Sequence, residues 1–200
     1  MSPTPPAPIL RPLMRSDGPA FRAIRVEALS LNPGSFGAVA ADWADLSDDT
    51  LAARIPIQPP SIIFGSFTQG ALAGREDLVA MAGLMVAGSV KQLHKGLIWG
   101  VYVREAWRRR GLAAALIDGL IAHAVAQEGL EILHLSVAAD NPGARALYVS
   151  RGFTPYGLER RALKLGPGDY RDEELMMLDL LALRPTTGDR AAGSPFVRID

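Results

Sequence analysis

The sequence predicts a mixed α/β domain in which strands and helices interleave irregularly, and three observations predict it. Strand-like and helix-like runs succeed one another without the regular alternation of a doubly wound fold. A dense apolar run at residues 97–103 leads through a basic turn into a long helical pattern at 111–127. Two strand-like segments, 153–165 and 174–181, flank Gly166-Pro167-Gly168 and read as a terminal hairpin.

Composition narrows the classes. The 200 residues suffice for one domain with a proper core, and 48% hydrophobic with 21% charged residues is ordinary for a globular protein. Twenty-one basic side chains balance 21 acidic ones, which gives no charge-based case for nucleic acid or a membrane surface. With no cysteine, disulfides, thiolate metal sites and a cysteine nucleophile are excluded. The three histidines are dispersed without ligand spacing, so no metal is expected. No apolar run reaches membrane-spanning length, and residues 1–8 lack the positive leader and apolar core of a secretion signal. The expected location is the cytoplasm.

Taken in order, residues 1–8 read as a disordered lead-in and 9–13 as a short first strand. Ser16-Asp17 starts a helix whose apolar face is Phe21, Ile24, Ala28 and Leu29, and Asn32-Pro33-Gly34 ends it. A second helix is expected between Asp42 and Ile55, closed by Pro56, Pro59 and Pro60. β-Branched and aromatic residues make 61–67 a strand, and 78–87 its partner across a glycine-containing loop at 69–77. The central strand 97–103 comes next, then the helix 111–127 with Leu116, Leu120 and Ala124 on one face. A strand at 132–137 and a short helix at 142–150 follow, with Gly152 as its left-handed stop. One domain over 9–184 and a tail over 185–200 are expected.

The chemistry concentrates where the central strand ends, at Val101-Tyr102-Val103-Arg104-Glu105-Ala106-Trp107-Arg108-Arg109-Arg110-Gly111-Leu112-Ala113. The first N–H groups of a helix have no internal partner and carry the positive end of its dipole. A start made of glycine and alanine lets a diphosphate approach closely, and three arginines add charge-assisted donors. The plainer alternative is a loop of solvated arginines before an ordinary helix. A P-loop is excluded because no lysine followed by serine or threonine is present, and the three glycines of the dinucleotide fingerprint are missing.

Arg108-Arg109-Arg110-Gly111-Leu112-Ala113 resembles the pattern Gln/Arg-x-x-Gly-x-Gly/Ala of the GNAT (GCN5-related N-acetyltransferase) superfamily. Downstream, Asn141-Pro142-Gly143-Ala144-Arg145-Ala146-Leu147-Tyr148-Val149-Ser150-Arg151-Gly152-Phe153 is similar to that family's second CoA motif. Both motifs stand in order with a helix and a strand between them, over roughly a quarter of the chain. Glu105 stands where the family often has proline, Arg109 where it often has glycine, and Ala113 for the commoner glycine. The resemblance implies a central, mostly antiparallel twisted sheet with flanking helices and a splayed strand pair that holds acetyl-CoA.

It also implies roles. Backbone N–H groups from Arg109 to Ala113, with Arg108 and Ala144 nearby, hold the diphosphate end. Val101 and Val103 pair with pantetheine, and the Val101 N–H is a donor for the thioester carbonyl. Asn141 reads both as an N-cap before Pro142 and as a cofactor contact. Tyr148 lies seven residues beyond it, roughly 10 Å along a helix, and reads as the acid that protonates the departing thiolate or as an aromatic anchor. His94, before the central strand, is a candidate base or an ordinary strand-edge histidine. Glu27, Tyr170 and Asp172, with Glu173, are candidates for the acceptor side. His123 and His134 read as partly exposed. The implied activity is transfer of an acetyl group to a primary amine of a small molecule or peptide. The alternative is a CoA-binding sensor without turnover. The terminal hairpin offers an edge for pairing in a homodimer.

Overall fold

A computed structural model describes residues 8–69, 76–86 and 88–184. Most of the lead-in, part of the loop at 69–77, Ala87 and the tail from 185 lie outside the described residues. The elements in chain order are β1 (Ile9–Pro12), α1 (Gly18–Leu31), α2 (Ala41–Ala44), α3 (Asp48–Arg54), β2 (Ile62–Gln69), β3 (Glu76–Val86), β4 (Lys95–Val103), α4 (Leu112–Val125), β5 (Ile132–Ala138), α5 (Pro142–Val149), β6 (Thr154–Gly166) and β7 (Asp169–Asp179). The strands form one seven-stranded sheet in the order β1-β2-β3-β4-β5-β7-β6. Every neighbouring pair is antiparallel except β4 with β5, which is parallel.

Helices cover both faces of the sheet centre, which is why seven consecutive residues of β3 are buried. On one face α4 lies over β2, β3 and β4. It buries Leu112, Leu116, Ile117, Leu120 and Ala124 in one cluster with Val79, Ala80, Ala82 and Leu84 of β3 and Ile98 of β4, which continues into Leu133, Leu135 and Val137 of β5 and Met176 and Leu178 of β7. On the other face α1 buries Phe21, Ile24, Ala28 and Leu29 with Trp43, Leu51, Met81 and Tyr102. Those four α1 residues are the ones the helical spacing selects.

Three boundaries differ from expectation for local reasons. The single helix expected between Asp42 and Ile55 is two, because Ser47 is extended and accepts a hydrogen bond from Thr50 N at 3.2 Å as the N-cap of α3. β7 begins at Asp169, not at 174, because the hairpin turns on Pro167-Gly168, with Gly166 paired to Asp169 and Gly168 at φ 78°. Residues 169–173, mostly polar, lie in this strand, exposed at 169–170 and half-buried at 171–173. Among the described residues, no helix is long and apolar enough to cross a membrane.

One irregularity positions the site. Trp99 pairs with Gly83 and Tyr102 with Met81, so Gly100 and Val101 together stand opposite Ala82. Gly100 adopts φ 65°, the conformation in which glycine initiates a bulge. The inserted residue reverses the facing of the strand. Val101 and Val103 join Ile98 on the α4 side, while Trp99 and Tyr102 face α1. A bulged strand bends, and β4 parts from β5 here: the pair is joined only at Lys95 with Ile132, Gly96 with Leu133 and Leu97 with His134.

Candidate active site

Two cavities, of about 370 and 190 Å³, open where β4 and β5 part, and they share Ser35, Phe36, Val101, Asn141, Ala144 and Tyr148. The larger lies toward the start of α4 and is also lined by Val103, Arg108 and Ala113. The smaller passes through the sheet. Its lining takes Asn141, Ala144 and Tyr148 from the α5 side, and Trp99, Ser136, Ala138 and Glu173 from the opposite face. Of the residues lining the two cavities, Arg108 is the only cation and Glu173 the only carboxylate.

The cation end is made of backbone. Glu105–Trp107 form a 3-10 turn, Arg109 sits at φ 59° and Gly111 at φ 78°, and α4 starts with no side-chain cap. The first intrahelical bond runs from Ala115 N to Gly111 O at 3.0 Å, leaving the N–H groups of Leu112, Ala113 and Ala114 without a helical acceptor. Arg109 thus holds a conformation that glycine adopts without strain, which accounts for glycine being common at that place in the family pattern. Arg108 Nε donates to Val103 O at 3.1 Å, and the Arg110 guanidinium lies 4.7 Å from the Trp107 ring centre. Arg108, Arg109, Arg110 and Gly111 are exposed, whereas the Leu112 side chain enters the core and only its backbone faces the helix start. A diphosphate fits this uncapped, arginine-flanked terminus.

Where the cavities meet stand Asn141 and Tyr148. Asn141 Oδ1 accepts from Ala144 N at 3.1 Å as the N-cap of α5, and its Nδ2 has no hydrogen-bond partner among the described residues. The cap and a ligand contact therefore use different atoms of one amide. Tyr148 is buried against Phe153, ring centres 6.0 Å apart, and makes no hydrogen bond among the described residues. Burial pushes its phenol up to about 12, so it keeps its proton throughout the neutral range.

Four sequence-derived candidates stand elsewhere, each engaged by its own surroundings. His94 lies at the joined end of the strand pair, its carbonyl accepting from Glu131 N and Ile132 N. Seven residue steps along the strand, about 20 Å, separate it from Val101. Glu27 accepts from the Tyr102 hydroxyl at 3.0 Å with Oε1 and pairs with Arg104 at 3.2 Å through Oε2, so it ties α1 to the end of β4. Asp172 accepts from Arg161 N and from Arg160 Nη1, each at 2.8 Å, and pins a bulge in β6; these bonds hold its carboxyl below the usual range. Tyr170 is exposed and lies 5.4 Å from the Arg161 guanidinium. None of the four lines either cavity. His123 and His134 are half-buried, the first within 3.0 Å of Pro60 O. No group of three or more metal-binding side chains occurs among the described residues.

Other residues enter from segments the motifs do not cover. Phe36 arrives on the loop after α1, which crosses to the hairpin: a Cβ on Gly34 would meet Arg171 and Leu165 at 3.5 Å. Trp99 is delivered by the bulge. Glu173 is delivered by alternation in β7, since Glu174 turns toward α5, where it meets Arg145 at 2.8 Å. That alternation was the available signal for Glu173, once β7 is started at Asp169. Arg25, 4% exposed on α1, lies behind Trp99 and Phe36.

Similar proteins share this architecture. A GNAT acetyltransferase from Streptococcus pneumoniae superposes with a TM-score of 0.73 at 19% identity, covering 86% of this chain and 98% of that one. YncA of Salmonella typhimurium, solved with its cofactor acetyl-CoA, gives 0.72 at 19% identity, covering 88% of this chain and 95% of the other. Among curated proteins, the L-2,4-diaminobutyric acid acetyltransferase of Streptomyces coelicolor is 39% identical over 54 residues, 27% of this chain. The matched stretch is about a third of that relative's length, 32%. The model of the acetyltransferase (GNAT) family matches residues 36–153, which takes in the bulged strand, the uncapped helix and the Asn141–Tyr148 segment. The chain belongs to the acetyltransferase (GNAT) family.

Proposed function

We propose that this chain is an N-acetyltransferase that moves an acetyl group from acetyl-CoA to a primary amine of a small molecule or peptide. The observation that carries the proposal is the order of groups along one opening: a cationic, uncapped helix start, a buried neutral phenol, then a single carboxylate. Acetyl-CoA supplies an acyl carbon already activated as a thioester.

The chain's own groups do the rest. N–H groups of Leu112, Ala113 and Ala114, with those of the 109–111 turn and Arg108, take the diphosphate. The free edges of Val101 and Val103 align pantetheine, and the Asn141 amide and Ala144 border it. The Val101 N–H polarises the carbonyl oxygen. Glu173 draws the acceptor's ammonium in and accepts one proton, leaving a nucleophilic amine. Tyr148 gives its proton to the departing sulfur and regains one from the acylated nitrogen, and Glu173 passes the proton it took from the ammonium to solvent, so the enzyme ends as it began. Acceptors related to diamino acids are supported by the Streptomyces relative and by the acid at the acceptor end. The cytoplasm remains the proposed location and 9–184 the catalytic domain. A homodimer would form through the exposed edge β6, which size-exclusion chromatography with light scattering tests.

The decisive experiment is thiol release from acetyl-CoA over a panel of diamines, amino acids and short peptides, with acetyl-CoA binding measured in parallel. Amine-dependent release is expected. Tight binding with no release across the panel would favour the sensor, and absence of binding would refute the cofactor assignment.

A further inference from the structure

We infer that the acceptor carries a carboxylate close to its amine and that Arg25 is the residue that holds it, an inference that rests on the transferase reading above. Arg25 is 4% exposed, and its Nε and Nη1 are buried without a hydrogen-bond partner among the described residues. The charged neighbour that acts on it is Arg54, of like sign. Three aromatic rings surround the guanidinium, Trp43 at 4.7 Å, Trp99 at 5.4 Å and Phe36 at 5.6 Å. Rings stabilise the charge over its faces but take none of the in-plane N–H bonds. Burial brings the group down to about 10, still a cation at neutral pH. A buried cation with open donors is costly, and such donors in a native fold call for an acceptor.

Position says which acceptor. A Cβ on Gly100 would stand 3.1 Å from Nη1, so the guanidinium fills the space behind the one β4 residue of that wall that lacks a side chain. Gly100, Trp99 and Phe36 all line the smaller cavity, and Glu173 lines it too. That cavity has a carboxylate for an ammonium and no cation among its lining residues. An amino acid presents the opposite pair: its ammonium matches Glu173, and its carboxylate matches the fork of Arg25 once the half-buried Phe36 turns aside. Arg25 is thus a specificity residue, and it selects amino acids over plain amines.

Matched acceptors test this. Steady-state kcat/KM is measured for 2,4-diaminobutyrate against 1,3-diaminopropane and for lysine against cadaverine, pairs that differ only by the carboxylate. The wild-type protein is expected to favour the carboxylated member of at least one pair by about 30-fold or more, because a buried site built to bond a group rejects analogues that lack it. Arg25→Met is expected to bring the ratio within about threefold of unity while leaving the diamine's kcat/KM and the acetyl-CoA Kd nearly unchanged; Arg25→Lys should retain part of the preference. Removing an unpaired buried charge should leave the thermal midpoint equal or higher, which serves as the folding check. Thiol release without preference in the wild type overturns the inference but keeps the transferase. Equal loss on both members in Arg25→Met also overturns it, in favour of a purely structural aromatic clamp. No release with any amine refutes the transferase, and the inference falls with it.

Discussion

At the cofactor end the opening is bordered by the uncapped start of α4 and the freed edge of β4; at the proposed acceptor end it is bordered by side chains from the loop after α1, β4 and β7. The first end is contiguous in sequence, and small residues mark it because backbone must come close to the ligand. The second is assembled by tertiary packing, and each contributing segment shows only one chemistry-bearing residue. Main-chain sites tolerate exchange of side chains that keep the turn; side-chain sites do not. Substitutions at the two ends should therefore separate cleanly into effects on acetyl-CoA and effects on the amine.

The largest effect is expected where the ends meet. Tyr148→Phe should lower kcat about 100-fold while acetyl-CoA Kd, measured by calorimetry, moves less than about twofold. The same substitution has a signature in stability. The folded phenol ionises near 12 and an unfolded one near 10. Below about pH 10 both states keep the proton and the contribution is full; as pH rises from about 10 toward 12 the unfolded chain ionises first and folding weakens. Urea titrations should show the wild type losing about 2–3 kcal/mol more than Tyr148→Phe across that window. Next, Glu173→Gln should reduce kcat/KM for the amine about 30-fold and leave acetyl-CoA binding intact. A matching rise in acetyl-CoA Kd would erase the distinction between the ends.

Smaller effects sharpen it. Arg108→Ala removes an exposed charge-assisted contact, so acetyl-CoA Kd should rise about fivefold with kcat at saturation unchanged. His94→Gln should leave turnover within about twofold, since His94 stands at the joined end of the strand pair. A large loss there would mean that the opening reaches farther along β4.

The same contrast explains what could be read from the sequence. The helices α1, α4 and α5 follow from apolar spacing and caps, and the splayed pair follows from the two motifs around Gly111 and Asn141. The polar residues 169–173 hide the start of β7 in the sequence, and without that start the alternation does not tell which acid, Asp172 or Glu173, faces the cleft. His94 stands at the joined end of the pair, and proximity to a strand in sequence does not tell which end of it opens. Arg25 carries no sequence signal of its own: a cation on a predicted helix is ordinarily solvated, and only the packing of Trp43, Trp99 and Phe36 around it reveals burial. Gly100 is one glycine among 20, and its bulge is defined by pairing with β3, a partner 18 residues away.

The smaller cavity takes its lining from both faces of the sheet, so on the proposed reading thioester and amine approach from opposite faces without blocking each other's route. Both can be resident at once, so initial-velocity plots should intersect, as for a sequential bi-substrate enzyme, instead of running parallel as for a ping-pong one. Desulfo-CoA should compete with acetyl-CoA alone, and an unreactive acceptor analogue with the amine alone. On that reading release would follow the same geometry, the free thiol withdrawing along α4 and the amide beneath the loop that carries Phe36.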